Sequence, residues 1–210
     1  MSNGTATIKL RSIDVRNMQF VIASSSPIVM HKWATKAVTM IEEKQAGKKT
    51  RDRDARNPEA ETEAAMHRTI DGKPGIPAGA LKKAIIGAAH KDIGIEKTIV
   101  RKAIFVNCDD PNGVIPFTTC SDPVMRQDMV RVGRGSADIR YRPMFSNWTA
   151  VISLDVDPEW LQDDDVLALM DRAGFGVGLL EMRPEKGGDL GRFRVDRNAK
   201  IVVSDRQEIN

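Results

Sequence analysis

Cysteine, histidine and aromatic side chains are all scarce in this sequence, with two Cys, three His and only 5% Phe, Trp and Tyr together. Cys108 and Cys120 cannot build a disulfide framework, so a reduced, intracellular setting is the simpler expectation. His31, His67 and His90 have no cysteine or carboxylate at metal-ligand spacing around them, and no metal is expected. No apolar run is long enough to cross a bilayer, and the opening MSNGTATIKLRS has no apolar signal core. A cytoplasmic protein without membrane contact is therefore expected. A P-loop lysine motif and a dinucleotide fingerprint are also missing, and no cofactor is expected. Charge of one sign is lacking too. The 32 Lys and Arg stand against 29 Asp and Glu, a net charge of +3 that permits a nucleic-acid partner without demanding one.

What is present supports a folded core. Hydrophobic residues make up 41% of 210 positions, enough for a single domain, with an exposed insertion at about positions 45–75. Ile8 to Ala23 alternates as one or two strands, and Ser24-Ser25-Ser26-Pro27 breaks the pattern. Trp33, Ala37, Met40 and Ile41 fall at helical spacing between Trp33 and Lys44. The following Gly47 to Glu59 has mixed charge and no apolar residue larger than alanine, which predicts an exposed excursion. After the turn cluster Asp71 to Pro77, residues Leu81, Ala84, Ile85 and Ala88 form one apolar helical face. Lys82 and Lys83 are expected in its first turn, where exposed N–H groups and two ammonium groups would welcome an anion.

Further along, Ile99 to Val106 predicts a strand, and Asn107 to Asp128 is turn-rich without a clear assignment. Arg140 and Arg142 alternate with Ile139 and Tyr141, and Val151 to Val156 reads as a core strand. Asp163 suits an N-cap, Val166, Leu169, Met170 and Ala173 form a stripe, and Gly174 suits the helix end. Phe193 and Val195 alternate with Arg192 and Arg194, and Ile201 to Val203 gives a last short strand. This order predicts an α+β fold of ferredoxin-like type, an antiparallel sheet with helices on one face.

Chemistry concentrates in arginine and glycine. Arg126, Arg131, Arg134, Arg140 and Arg142 fill one window; Arg183, Arg192, Arg194 and Arg197 fill another. Each window has an Arg pair at i, i+2 on an expected strand, so each pair projects from one face. Were those strands neighbours, four guanidinium forks would line one side, a geometry suited to phosphate. Tyr141 and Phe193 point away from their Arg neighbours, unlike an RNA-recognition sheet that presents aromatics and charge together. Between Ala173 and Val195 six glycines, among them Gly187, Gly188 and Gly191, sit with Arg183, Lys186, Arg192 and Arg194. Such a loop is either a mobile surface element or a place where a polynucleotide backbone approaches closely. Gly174-Phe175-Gly176-Val177-Gly178 follows a helix instead of opening one, so it fails the context that a nucleotide-binding loop requires. His31, beside Lys32, is the one position for a general acid or base; a histidine without catalytic duty is the plainer reading.

Two segments resemble a known family. Gly72-Lys73-Pro74-Gly75-Ile76-Pro77-Ala78-Gly79-Ala80-Leu81-Lys82-Lys83-Ala84-Ile85 is similar to the IPGSSLKGALR segment of the RAMP superfamily of CRISPR proteins. Gly176-Val177-Gly178 followed by Gly187-Gly188-Asp189-Leu190-Gly191-Arg192-Phe193 resembles that superfamily's C-terminal glycine-rich loop. The resemblance implies a ferredoxin-like core, a glycine loop on RNA, and copies assembling side by side along a strand. It assigns contacts to Gly187, Gly188, Gly191, Arg192 and Lys82, and sets the Gly47–Glu59 excursion where such subunits carry insertions over the strand. Ala78 stands where the family has glycine, and Met182 to Lys186 lengthens the loop. Both departures fit a phage or mobile-element relative acting on single-stranded DNA or RNA outside a CRISPR complex.

The expectation is thus a non-catalytic protein that oligomerises along single-stranded RNA or DNA. Its phosphate contacts would come from Lys82, Lys83, Arg131, Arg134, Arg140, Arg142, Arg183, Lys186, Arg192 and Arg194, with Gly187, Gly188 and Gly191 allowing close approach. The alternatives are an assembly protein whose arginines meet acidic partners, and a metal-independent endoribonuclease using His31.

Overall fold

In a computed structural model, the described residues are 13–32, 45–47, 56–132 and 136–205. Arg134, the part of the expected first strand before residue 13, the expected helix at 33–44 and most of the expected excursion lie outside them. The described residues form a mixed α+β fold with antiparallel sheets and four α-helices. None of these helices is long and apolar enough to cross a membrane.

The main sheet is built on strand β1 (Arg16–Ser24), whose side chains alternate strictly: Met18, Phe20 and Ile22 are buried while Gln19 is exposed. Its partner, an antiparallel strand at Trp148–Val156, places Leu154, Ile152 and Ala150 opposite those three, so two inward rows meet on one face. Each such fully buried large side chain contributes roughly 1.5–3 kcal/mol relative to exposure. The other neighbours come from all over the chain. Helix α1 (Pro58–Ala64), strand β2 (Ile28–Val29) and the short pair β3 (Gly75–Pro77) and β5 (Val114–Pro116) lie outside this sheet. Helix α2 (Ala78–Ala88) and helix α3 (Lys97–Ala103) lead to strand β4 (Ile104–Asn107) at one edge. Strand β6 (Thr119–Cys120) shares that edge. Numbered in chain order, Trp148–Val156 is β9; helix α4 (Asp163–Arg172) then returns the chain to β10 (Phe193–Val195) and β11 (Val202–Asp205), which pair with the two ends of β1. The strand order is β10-β1-β9-β4, antiparallel throughout.

Leu81, Ala84 and Ile85 of α2 and Val166, Leu169 and Met170 of α4 join the inward rows of β1 and β9 in one core. The outward face carries Gln19, Phe105, Val151 and Arg194, all exposed. Between β6 and β9 the chain makes a long hairpin, β7 (Val124–Val132) and β8 (Ser136–Phe145), which β2 extends to a second, three-stranded sheet.

Several expectations need correction. Ile99 to Val106 is not one strand: residues 97–103 are helical and only the last part is β4, with Val100, Ala103 and Ile104 buried across the junction. The N-cap of α4 is Gln162, whose backbone N–H donates to Asp165 Oδ2 at 3.0 Å. Asp163 is the first helical residue and pairs with Arg16 at 2.8 Å. Gly174 does not end the helix either, because Ala173–Val177 continue as a π turn. Lys82 and Lys83 fall in the second turn of α2, which starts at Ala78. Pro58 and Glu59, read as part of the excursion, begin α1, capped by Asn57 and packed on β8.

Candidate nucleic-acid interface

The segment after α4 is held by its own backbone. The Gly178 N–H donates to Ala173 O, Leu179 N–H to Gly191 O and Leu190 N–H to Met182 O, all within 2.9 Å. It is then fastened to the β1–β2 connection: Gly191 N–H donates to Pro27 O at 2.7 Å, Arg192 N–H to Ser26 Oγ at 2.9 Å and Glu181 N–H to Val29 O at 3.2 Å. Gly191 has φ +69°, and a Cβ there would lie 2.0 Å from Leu179 O; one on Gly188 would lie 2.0 Å from Met182 O. Close backbone approach is indeed why these glycines are needed, but the approaching backbone is the loop's own. Gly187, at φ +80°, turns the chain with open space around it.

Rigidity here decides which cations are available. Lys186 and Arg194 are exposed, and Arg192 is half-buried. Among the described residues none of the three has an ion pair; the sole side-chain hydrogen bond is a 3.4 Å contact from Arg194 to Ser24 O. Arg131 and Lys83 are likewise exposed without a pair among the described residues. Arg183, by contrast, is spent on Glu185 at 2.9 Å and on Leu180 O at 2.9 Å. Lys82 reaches Arg101 O at 3.1 Å and lies 4.8 Å from the centre of the Phe105 ring, so it caps α3. Burial lowers its pKa.

Arg140 and Arg142 do not join this group in one sheet, contrary to the expected array of four forks. Strand β8 pairs with β7 and β2, and β10 pairs with β1. Arg142 is buried, with Asp128 at 3.4 Å and Glu181 at 3.6 Å. Asp128 is also buried and accepts from Arg126 at 2.7 Å. Arg140 NH1 lies 2.6 Å from His31 Nε2, and its Nε is 3.7 Å from Asp138. A guanidinium has no lone pair to offer, so His31 Nε2 accepts and Nδ1 holds the proton. Among the described residues that Nδ1 is buried without a partner, and burial, then Arg142 and Arg140, lower the pKa of the ring. The two arginine windows do meet, through the Val29–Glu181 backbone bridge and the Glu181–Arg142 pair.

An open groove of about 420 Å³ lies elsewhere, lined by Asp71, Asp109, Asp110, Asn107 and Ser153 among others. Its carboxylates repel phosphate, so the basic loop is the better candidate surface. Sequence reasoning missed three participants. Glu181 and Asp128 were hidden because their roles depend on partners remote in sequence. Phe175, 70% exposed on the π turn with the Arg192 guanidinium 4.9 Å from its ring centre, was signalled only by its two flanking glycines.

No family model matches the chain, and no curated protein matches it.

Proposed function

We propose that this protein binds single-stranded RNA or DNA without catalysis, and that copies assemble along the strand. The observation that carries the reading is that Lys186 and Arg192 on a loop stapled to β1 and β2, and Arg194 on β10 just after it, have no ion pair among the described residues. Guanidinium forks carried on a fixed backbone do not have to abandon a carboxylate before they meet phosphate. Arg131 toward the hairpin tip and Lys83 on α2 are further candidates, with Arg140 and Arg142 acting from behind to hold the hairpin. Succession supports a ferredoxin-like core: β1, α2, β4, β9, α4 and β10 run strand, helix, strand, strand, helix, strand. The antiparallel order β10-β1-β9-β4 matches that plan, and with the two sequence motifs it favours kinship to the RAMP superfamily, in a compact phage-type form. His31 is a poor general base, since Arg140 occupies its accepting nitrogen.

The test is binding of a labelled oligonucleotide, RNA and DNA in parallel, at rising salt. Affinity should fall steeply with salt, and Arg192→Ala with Arg194→Ala should weaken it about tenfold or more. Absence of binding at low salt, with defined oligomers free of nucleic acid, would favour an assembly protein meeting acidic partners instead.

A further inference from the structure

Four of the six phenylalanines, Phe20, Phe117, Phe145 and Phe193, are buried, whereas Phe175 is 70% exposed. The fold has no packing use for it. On the α4 stripe, Ala173 and Val177 return to the core on either side while Phe175 falls outside. Gly176 beside it leaves open space: a Cβ there would meet nothing beyond its own turn among the described residues. Phe175 is nevertheless held in place. The π turn packs against residues 184–186 and against β10, and the Arg192 guanidinium sits 4.9 Å from the ring centre. That cation lies against the ring and leaves most of its surface in solvent. Among the described residues Arg192 Nε is buried without a hydrogen-bond partner, and its guanidinium lies against the Phe175 ring.

We infer that Phe175 is a base-stacking platform, with an unpaired nucleobase lying on its exposed ring while Lys186, Arg192 and Arg194 take the adjacent phosphates. This rests on the proposed single-strand binding and gives it a base-contacting residue. Single-stranded nucleic acid is bound by a basic track combined with aromatic rings, and every base offers a π-face, so the preference among sequences is weak. Phe175 is an exposed aromatic ring beside a loop arginine that has no ion pair among the described residues, whereas Phe105 carries Lys82, which is already bound to carbonyls. A strand with bases and phosphates uses both groups, the ring for a base and the arginine for a phosphate.

The experiment uses the full chain and an oligothymidylate of about 30 nucleotides carrying 2-aminopurine, whose fluorescence is quenched by stacking. Wild type should bind with a change in that fluorescence. Phe175→Leu should remove most of the change and weaken binding about tenfold. The slope of affinity against salt should stay as in wild type, and Phe175→Trp should restore both signals. An oligonucleotide of the same length made of abasic sites should bind wild type and Phe175→Leu equally. If Phe175→Leu matches wild type in fluorescence and affinity while Arg192→Ala with Arg194→Ala still weakens binding and flattens its salt dependence, the platform is wrong and the strand-binding reading stands. If wild type binds no oligonucleotide at low salt, both are overturned.

Discussion

The pairs Arg140/Arg142 and Arg192/Arg194 share a spacing, a strand setting and aromatic or apolar neighbours, yet they do opposite work. On the hairpin, Arg142 is buried between Asp128 and Glu181, and Arg140 is fixed on His31 and Asp138. On the sheet edge, Arg192 and Arg194 have no carboxylate partner among the described residues. The difference lies in what the facing chain supplies. Strand β7 sets Asp128 directly opposite Arg140 and diagonal to Arg142, while β1 sets Ala23 opposite Arg194. A charge facing its opposite becomes structure; a charge facing a small apolar residue stays available. An i, i+2 arginine pair is therefore not in itself a phosphate site.

The largest effect should come from the loop that carries the free pair. Gly191→Ala meets both a positive φ and a backbone oxygen 2.0 Å away. Left-handed strain of ~1–2 kcal/mol and overpacking of ~1–3 kcal/mol together predict a loss of about 4 kcal/mol. Chemical denaturation measures it, and a variant as stable as wild type would show that the loop is loose and that the free pair has no rigid base. Next comes the locked pair. Arg142→Ala takes one of two cations from buried Asp128, which keeps Arg126 at 2.7 Å, and removes the partner of part-exposed Glu181, for a loss of about 2 kcal/mol. The Arg192→Ala, Arg194→Ala variant should stay within about 0.5 kcal/mol of wild type in the same assay. Equal losses would erase the contrast.

Binding should reverse that ranking. Each single-strand phosphate contact contributes roughly 0.7 to the slope of log affinity against log salt, so losing Arg192 and Arg194 should flatten it by about 1.4. A folded Arg140→Gln variant should leave the slope unchanged, because its guanidinium is already engaged. If Arg140→Gln flattens the slope as much, the hairpin root also meets the strand.

How far the sequence reached follows the same logic. Strands β1, β9 and β10 and helices α2 and α4 were legible because one face of each is apolar and the period shows it. The hairpin strand β7 was not legible, since VMRQDMVRV reads inside out: Met125 and Met129 are exposed while Arg126 and Asp128 face the ion cluster. The α3–β4 junction has no glycine or proline to punctuate it, so a helix and a strand merged into one apolar run. At the site, residue types and the loop were visible, but not the division between engaged and free cations. That division depends on Asp128 and Glu181, brought close only by folding. The loop glycines misled for a physical reason: sequence shows that a backbone comes near, not whose backbone it is.

The smallest effect is a response to acid, and it separates the two pairs by pH. Burial, Arg142 and Arg140 together hold His31 below its ordinary pKa, and burial does the same for His67, aided by Lys32 and His31. The folded state thus favours neutral rings, while the unfolded chain takes up protons near pH ~6.5. Stability is full above that value and declines as pH falls through it toward the depressed pKa, by no more than about 1.4 kcal/mol per pH unit for each proton. Urea midpoints measured from about pH 8 to about pH 5 should show this decline, and His31→Gln should make it shallower. Oligonucleotide affinity of the folded protein over the same range should change far less, because the proposed strand contacts are arginines and a lysine and include neither histidine. An acid decline untouched by His31→Gln would mean that the imidazole is not held between the hairpin arginines, and the locked character of that pair would have to rest on Asp128 and Glu181 alone.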